Sequence, residues 1–422
     1  MPQIDLQQTY RHSVRRLEIP ADASDPGTTC LTNSTSTGRS RRTAQLHHGR
    51  SESSSLSGVG EHFGRGDLFA NLPPICTVIA VTGAALTAHA WSALHQPNPN
   101  LIAAAGDGGP VTPPLLDMID TVVAHAQQLD DHQGGAAREF VSDQFSAVAR
   151  LLRRASYNAE AGRRLASALA QLAQTAGFMA FDANEDGLAQ RWYLTALRAA
   201  HAARDPGLAA SILALMSNQA ADRGHALDAL QLASAAQESA AKTPPAVRSL
   251  VAARSSLAHA VAGDLTSFFH MRENTLALLG TAPDAPLPRW ASYIDRVELD
   301  AITGRGLVVL AERVPIQRPR LLRQAERLLY PRAHTSPTDS PQRSALRHGA
   351  WLSLAHNAAG DLDLAVSTAR LALGRLPAVS SVRSVALLHR LHDELAPAAP
   401  RLLAVRDILR ELRELPRTTP AR

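Results

Sequence analysis

The chain is 422 residues long, room for two or three domains of about 150 residues each, with 45% apolar and 19% charged side chains. Aromatics are only 4%, and no Gly-rich fingerprint precedes a helical run, which argues against a nucleotide-binding α/β enzyme or a base-stacking platform. The net charge of +5 and pI of about 9.7 rest on 42 Arg and one Lys, Lys242; this skew looks like coding bias, so basicity alone is weak evidence for nucleic acid.

Ala (76) and Leu (58) make up nearly a third of the residues, and both are strong helix formers. The expected fold class is therefore all-α. Two cysteines, Cys30 and Cys76, with no CxxC and no Cys/His ligand spacing exclude a disulfide scaffold or a structural zinc. With no cleavable signal at the extreme N-terminus, a reducing cytoplasm is the expected location.

In chain order, residues 1–67 are rich in Ser, Arg and Gly; the stretch from Thr28 to Gly66 cannot bury enough apolar surface to offset its ordering entropy, and disorder is expected. Residues 68–112 are expected to form an apolar helix and a Gly/Pro linker. Within them Ile75 to Leu94 holds 14 apolar residues in 20, which raises a membrane-tethered or exported reading. Six of the 14 are Ala, and Thr77, Thr82, Gly83, Thr87 and His89 interrupt the rest, so a buried or partner-covered helix is the competing reading. After Pro110 the pattern is helical to the end. Pro113-Pro114 open a helix through about Leu129, and Ala137 to Arg154 places Phe140, Val141, Phe145, Val148, Leu151 and Leu152 on one face.

Paired helices then recur with a period near 40. Helix-breaking glycines are expected at Gly187, Gly224, Gly263 and Gly360, the last gap holding two units, and Ala262-Gly263-Asp264 repeats as Ala359-Gly360-Asp361. Small residues fall at fixed offsets: Ala365, Ala369 and Ala372-Leu373 after Gly360, and Ala189, Tyr193 and Ala196-Leu197 after Ala176-Gly177 and Ala180. Such residues let the two helices of a hairpin approach closely, and each hairpin then buries its remaining apolar face on the next. Phe268 departs from the pattern at a small-residue position, and Trp290 is expected to pack in a first helix, with Ala325 to Leu329 in the second.

These spacings resemble the tetratricopeptide repeat, an α-solenoid of helical hairpins over 113–416. Several phrases resemble, more narrowly, the repeat half of actinobacterial helix-turn-helix (Xre-type) transcriptional regulators. They are Ala176-Gly177-Phe178-Met179-Ala180-Phe181-Asp182, then Gly187-Leu188-Ala189-Gln190-Arg191, and Trp290-Ala291-Ser292-Tyr293-Ile294-Asp295 with Glu298-Leu299. The resemblance implies a regulatory module that senses a ligand or binds a protein or peptide, self-association included. In such regulators a DNA-reading bundle precedes the repeats. Residues 1–67 hold no run of short amphipathic helices to build one, so a relative without that head, or an N-terminus altered by a shifted start or frame, is expected. A regulator that binds DNA directly, through an unrecognised or truncated head, is the further alternative.

Chemistry-bearing motifs are few. Asp182 to Gly187 imitates the opening of a calcium loop, but its twelfth position is Tyr193 where a bidentate Glu is needed, so it reads as an inter-helix turn. His389 and His392 lack a third ligand and read as surface residues of a terminal helix. No metal, cofactor or catalytic residue is expected, and no enzyme activity. By position in the tetratricopeptide array, the groove residues are Gln171, Gln174, Phe178 and Asp182 in one unit and Ser211, Asn218 and Asp222 in the next. Amides there suit a peptide backbone, and Phe178 offers an apolar anchor.

Overall fold

The computed structural model describes residues 81–95, 110–281, 287–291, 294–339, 341–398, 400 and 402–416. Segment 1–67, both cysteines and most of 68–112 lie outside the described residues. Among those described the chain is all-α, with no strand and two isolated bridges, Pro110 to Ser156 and Gly134 to Ser380. Fifteen α-helices follow one another: α1 (Ala84–His95), α2 (Pro113–Gln133), α3 (Arg138–Arg154), α4 (Ala159–Asp182), α5 (Asp186–Ala203), α6 (Pro206–Asp222), α7 (Ala226–Ala240), α8 (Pro245–Ala262), α9 (Leu265–Gly280), α10 (Arg296–Arg313), α11 (Arg318–Ala333), α12 (Gln342–Ala359), α13 (Leu362–Leu373), α14 (Val382–Leu395) and α15 (Leu403–Arg413).

Local chemistry sets most boundaries. Pro113 and Pro114 open α2, which runs one turn past Leu129. Asn158, Asp205, Asp264, Asp295 and Ser381 each accept a hydrogen bond from the backbone N–H three residues on, satisfying donors that a helix start leaves unpaired. Between successive helices one turn recurs: the N–H groups of Glu185, Asp205, His225, Asp264 and Asp361 donate to the carbonyl five residues back. The left-handed residue this turn needs is Gly at 224, 263 and 360, as expected, but at the first two turns it is Asn184 (φ 62°) and Arg204 (φ 58°). Gly187 is thus not the breaker; it lies inside α5.

Consecutive helices pack as antiparallel neighbours, α4 on α5, α6 on α7, α8 on α9, α10 on α11 and α12 on α13. Alanines at the expected offsets (Ala189, Ala196, Ala365, Ala369) are fully buried in these seams. Gly177 is required: a Cβ there would stand 2.7 Å from the Tyr193 ring. Phe268, the oversized residue, is accommodated by the opposite deletion, since a Cβ on Gly306 of α10 would meet its ring at 2.7 Å. Trp290 sits in a 3-10 turn (Arg289–Ala291) rather than in a first helix, because Pro288 and the short run before Asp295 leave no room for one.

The even-numbered helices form an inner layer, in which α2 packs on α4, α4 on α6, α6 on α8, α8 on α10 and α10 on α12. That layer closes on itself, because α12 returns to α2. Arg343 of α12 pairs with Asp130 at 2.8 Å, and Ser380, just before α14, bridges the end of α2 through Ser380 N–H to Gln133 O (3.0 Å) and Gly135 N–H to Ser380 O (3.1 Å). Gly134 is needed at the closure, having φ 62° and no room for a Cβ, which would lie 2.3 Å from the Ser380 carbonyl. α14 then packs across α12 and α4.

On the outside, α1 lies over α5 and α7 with Leu86 and Ala90 buried. Gln190 grips the Val81 peptide from both sides, Val81 N–H to Oε1 at 2.6 Å and Nε2 to Val81 O at 2.7 Å, and Asp228 accepts from Gly83 N–H. The part of the apolar stretch that is described is therefore a helix docked on the body. No helix among the described residues is long and apolar enough to cross a membrane.

Candidate functional site: a charged inner chamber

Closure of the inner layer frames a half-open cavity of about 420 Å³ bordered by α2, α4, α6, α8, α10, α11, α12 and the Trp290 turn. Helical spacing aims its side chains. On α12, Arg343 and Arg347 are one turn apart and face inward, while Ser344 and His348, offset by one residue, both meet Glu298 of α10.

One end is dominated by guanidinium groups. Asp222, at the end of α6, accepts from Arg305 Nη2 (2.5 Å), Arg383 Nη1 (2.6 Å) and Arg347 Nη2 (3.4 Å). Burial works against its charge, but Arg305, Arg383 and Arg347 together overcome this and hold the carboxyl below its ordinary range. Arg383 also reaches Asp186 (2.8 Å), which Arg223 pairs from outside at 2.9 Å and Gln219 meets with its amide. The Phe181 ring carries Arg383 and Arg347 on its face, 3.8 and 5.2 Å from its centroid. Burial, and then Arg347 beside it, pull Arg305 down to about 9.

The other end is acidic. Asp130, Asp131, Asp295 and Glu298 face the cavity with two cations among them, Arg343 and Arg332. Arg343 stacks 4.2 Å from the Phe178 centroid. Burial, with Asp131 and Asp182 nearby, outweighs Arg343 and raises the Asp130 carboxyl to about 7. Burial opposes charge on Glu298 as well, yet His348, Arg332 and Ser344 win and hold it at about 2. Burial pushes His348 below its ordinary value, toward the neutral imidazole.

Several lining residues also carry buried polar atoms without a protein hydrogen-bond partner: Gln174 Oε1, Trp290 Nε1, Arg305 Nε, Arg347 Nε and His348 Nδ1.

Of the groove residues expected from sequence, Gln174, Phe178 and Asn218 line this cavity. Gln171 bonds to Gln127 and Ser167 instead. Asp182 accepts from Ser381 Oγ, Ser211 receives Arg254, and Asp222 anchors the three arginines, so these three are internal supports. The face expected to be an open groove is taken by α12 and α14 of the same chain. Asp182 to Gly187 is the α4–α5 turn, and Asp186 turns to Arg223 and Arg383. His389 meets the Pro416 carbonyl and His392 meets Asp393.

Sequence reasoning missed Arg305, Arg343, Arg347 and Arg383 and their acidic partners Asp130 and Glu298. A usable signal existed for two of them: Arg305 is the only charge between Ala301 and Leu310, and Arg347 stands in the apolar seam Ala345 to Leu352. No family model, curated protein or solved structure matches the chain.

Proposed function

We propose that this chain is a ligand-sensing module built as a tetratricopeptide-like α-solenoid, akin to the repeat half of Xre-type regulators, whose closed inner layer receives a small polar molecule. The polar cavity carries this reading. It is pocket-sized, mixes aromatic and aliphatic walls with convergent charged groups, and borrows side chains from eight elements. The helical pairs with small residues in their seams support the repeat architecture, and the phrases at 176–182 and 187–191 support the regulator kinship. Because α12 and α14 occupy the inner face, a small molecule fits better there than an extended peptide. Occupancy would tighten the contacts between α12 and α2 that close the layer, and the outer helices would carry that change to a partner protein.

The test is thermal unfolding and native mass spectrometry of the full chain with deproteinised cell extract. A ligand at 100 times its Kd adds about 2.7 kcal/mol, which for a fold of roughly 300 ordered residues raises Tm by about 4 °C. A bound small molecule that is lost in Gln174→Leu supports the reading. A bare protein with unchanged Tm in every extract fraction refutes it.

A further inference from the structure

Several surface arginines of this chain keep a carboxylate one helical turn away, as Arg296 does with Asp300, Arg390 with Glu394 and Arg410 with Asp407. The outer helix α11 departs from that arrangement. It carries five arginines and a single acid, Glu326, and four residues on from Arg320, Arg323 and Arg327 it has Gln324, Arg327 and Pro331. Glu326 stands near His356 of α12. Arg320, Arg323 and Arg327 are exposed, and none of their side chains makes an ion pair or hydrogen bond among the described residues. The nearest acids on the neighbouring helices, Asp300 and Glu273, face Arg272 of α9, and Asp300 is already paired with Arg296 at 2.6 Å.

Packing fixes where these arginines point. Leu321, Leu322, Ala325, Leu329 and Ala333 are buried against α10 and α12, so the opposite side of the helix is held toward solvent. At about 100° per residue, Arg320, Arg323, Arg327 and Tyr330 fall within about 80° of one another. Tyr330 is 53% exposed and stacks on His334, ring centroids 3.8 Å apart and planes at 21°, so the charged stripe ends in an aromatic slab. The three arginines span seven residues, about 10.5 Å of rise, which is close to one Debye length. Their mutual repulsion is relieved best by a partner that presents negative charge in a row.

We propose that this face of α11 binds a single nucleic-acid strand through its phosphates, independently of what the chamber holds. A strand advances about 3.4 Å per phosphate, so about 10.5 Å of helix faces three or four of them, enough for one per arginine. Each guanidinium can meet its phosphate with two parallel N–H donors. The Tyr330 ring face turned away from His334, one turn beyond Arg327, takes a base; that contact needs the base unpaired and selects a single strand over a duplex. It differs from duplex reading by a separate head, because the helical body itself makes the contact. A bilayer fits less well, since the apolar side of α11 is turned into the core and the exposed Ile316 precedes the helix.

The experiment is fluorescence anisotropy of the full chain with a labelled mixed-sequence strand of about 20 nucleotides and with its duplex, between about 50 and 200 mM salt. Co-sedimentation with phosphatidylserine vesicles supplies the lipid arm. Expected is saturable binding of the strand, with log K falling against log salt at a slope near about −2, the value for three phosphate contacts at about 0.7 each. Arg320→Gln, Arg323→Gln and Arg327→Gln together should weaken it about tenfold or more and flatten the slope, and Tyr330→Ala about fivefold with the slope unchanged. The control replaces the exposed Arg150, Arg154 and Arg248 with Gln, which lowers the net charge equally, and its affinity should stay within about twofold of wild type. All these positions are exposed, so the variants should fold, which circular dichroism checks. Wild-type affinity in the α11 triple variant, an equal loss in the control, a duplex bound as tightly as the strand, retention on vesicles in place of nucleic acid, or no binding to any probe each overturns the proposal.

Discussion

Replacing Asp222 with Asn removes one negative charge from the point where Arg305, Arg347 and Arg383 converge. The wild-type side chain is 13% exposed and the three arginines 7 to 10%, so water cannot take over the lost role. Truncating one partner of a buried ion pair costs about 3–5 kcal/mol, because the remaining charge stays buried and unpaired. Asn keeps one oxygen for either Arg305 or Arg383, and the Arg347 contact at 3.4 Å is weak to begin with, which places the expected loss near the lower bound, about 3 kcal/mol. With an unfolding entropy of about 2.1 cal/mol/K per residue over roughly 300 ordered residues, Tm falls by about 5 °C. Urea unfolding followed by circular dichroism measures the difference, and a pH series gives a second reading. Because the Asp222 carboxyl titrates below its ordinary range, its contribution is present above about pH 4 and disappears as pH falls through the folded value. Wild type and variant should therefore converge in acid. A loss under about 1 kcal/mol at neutral pH, the size expected of a surface pair, would refute the buried hub.

Three further outcomes test other parts of the structure. Gly306→Ala should destabilise by about 1–3 kcal/mol, since the clash with Phe268 outweighs the roughly 1 kcal/mol that Ala gains in a helix; combining it with Phe268→Leu should recover part of the loss in the same denaturation assay. Glu298→Gln should flatten the acid limb of the stability curve: the depressed carboxyl stabilises the fold above its ordinary value near 4.5, and that help is lost as pH falls toward about 2. An unchanged acid limb would mean that Glu298 is not held by Arg332 and His348. Gln190→Ala should free residues 81–91 from α5, seen as faster amide exchange and protease cleavage there, with global stability reduced by no more than about 1 kcal/mol.

The helical class, the pairing of neighbouring helices and most turns were legible in the sequence, because each depends on groups a few residues apart. Capping Asp264 bonds to Ser267, the left-handed glycines at 224, 263 and 360 close their own helices, and Ala365, Ala369 and Ala372 fall on one face through helical geometry alone. Asn184 hid the first turn because Asn tolerates a left-handed backbone without advertising it as Gly does. Phe268 looked like a fault until Gly306, on another helix, was found to complement it.

What tertiary structure alone decided is the closing of the inner layer and the choice of buried arginines. Forty-two arginines look alike along the sequence, and what distinguishes Arg343 and Arg383 is a carboxylate 213 and 161 residues away. An ion pair is specified by where two helices end in space. No periodicity along the chain encodes that meeting; it arises when small tilts between successive pairs add up and bring α12 back against α2.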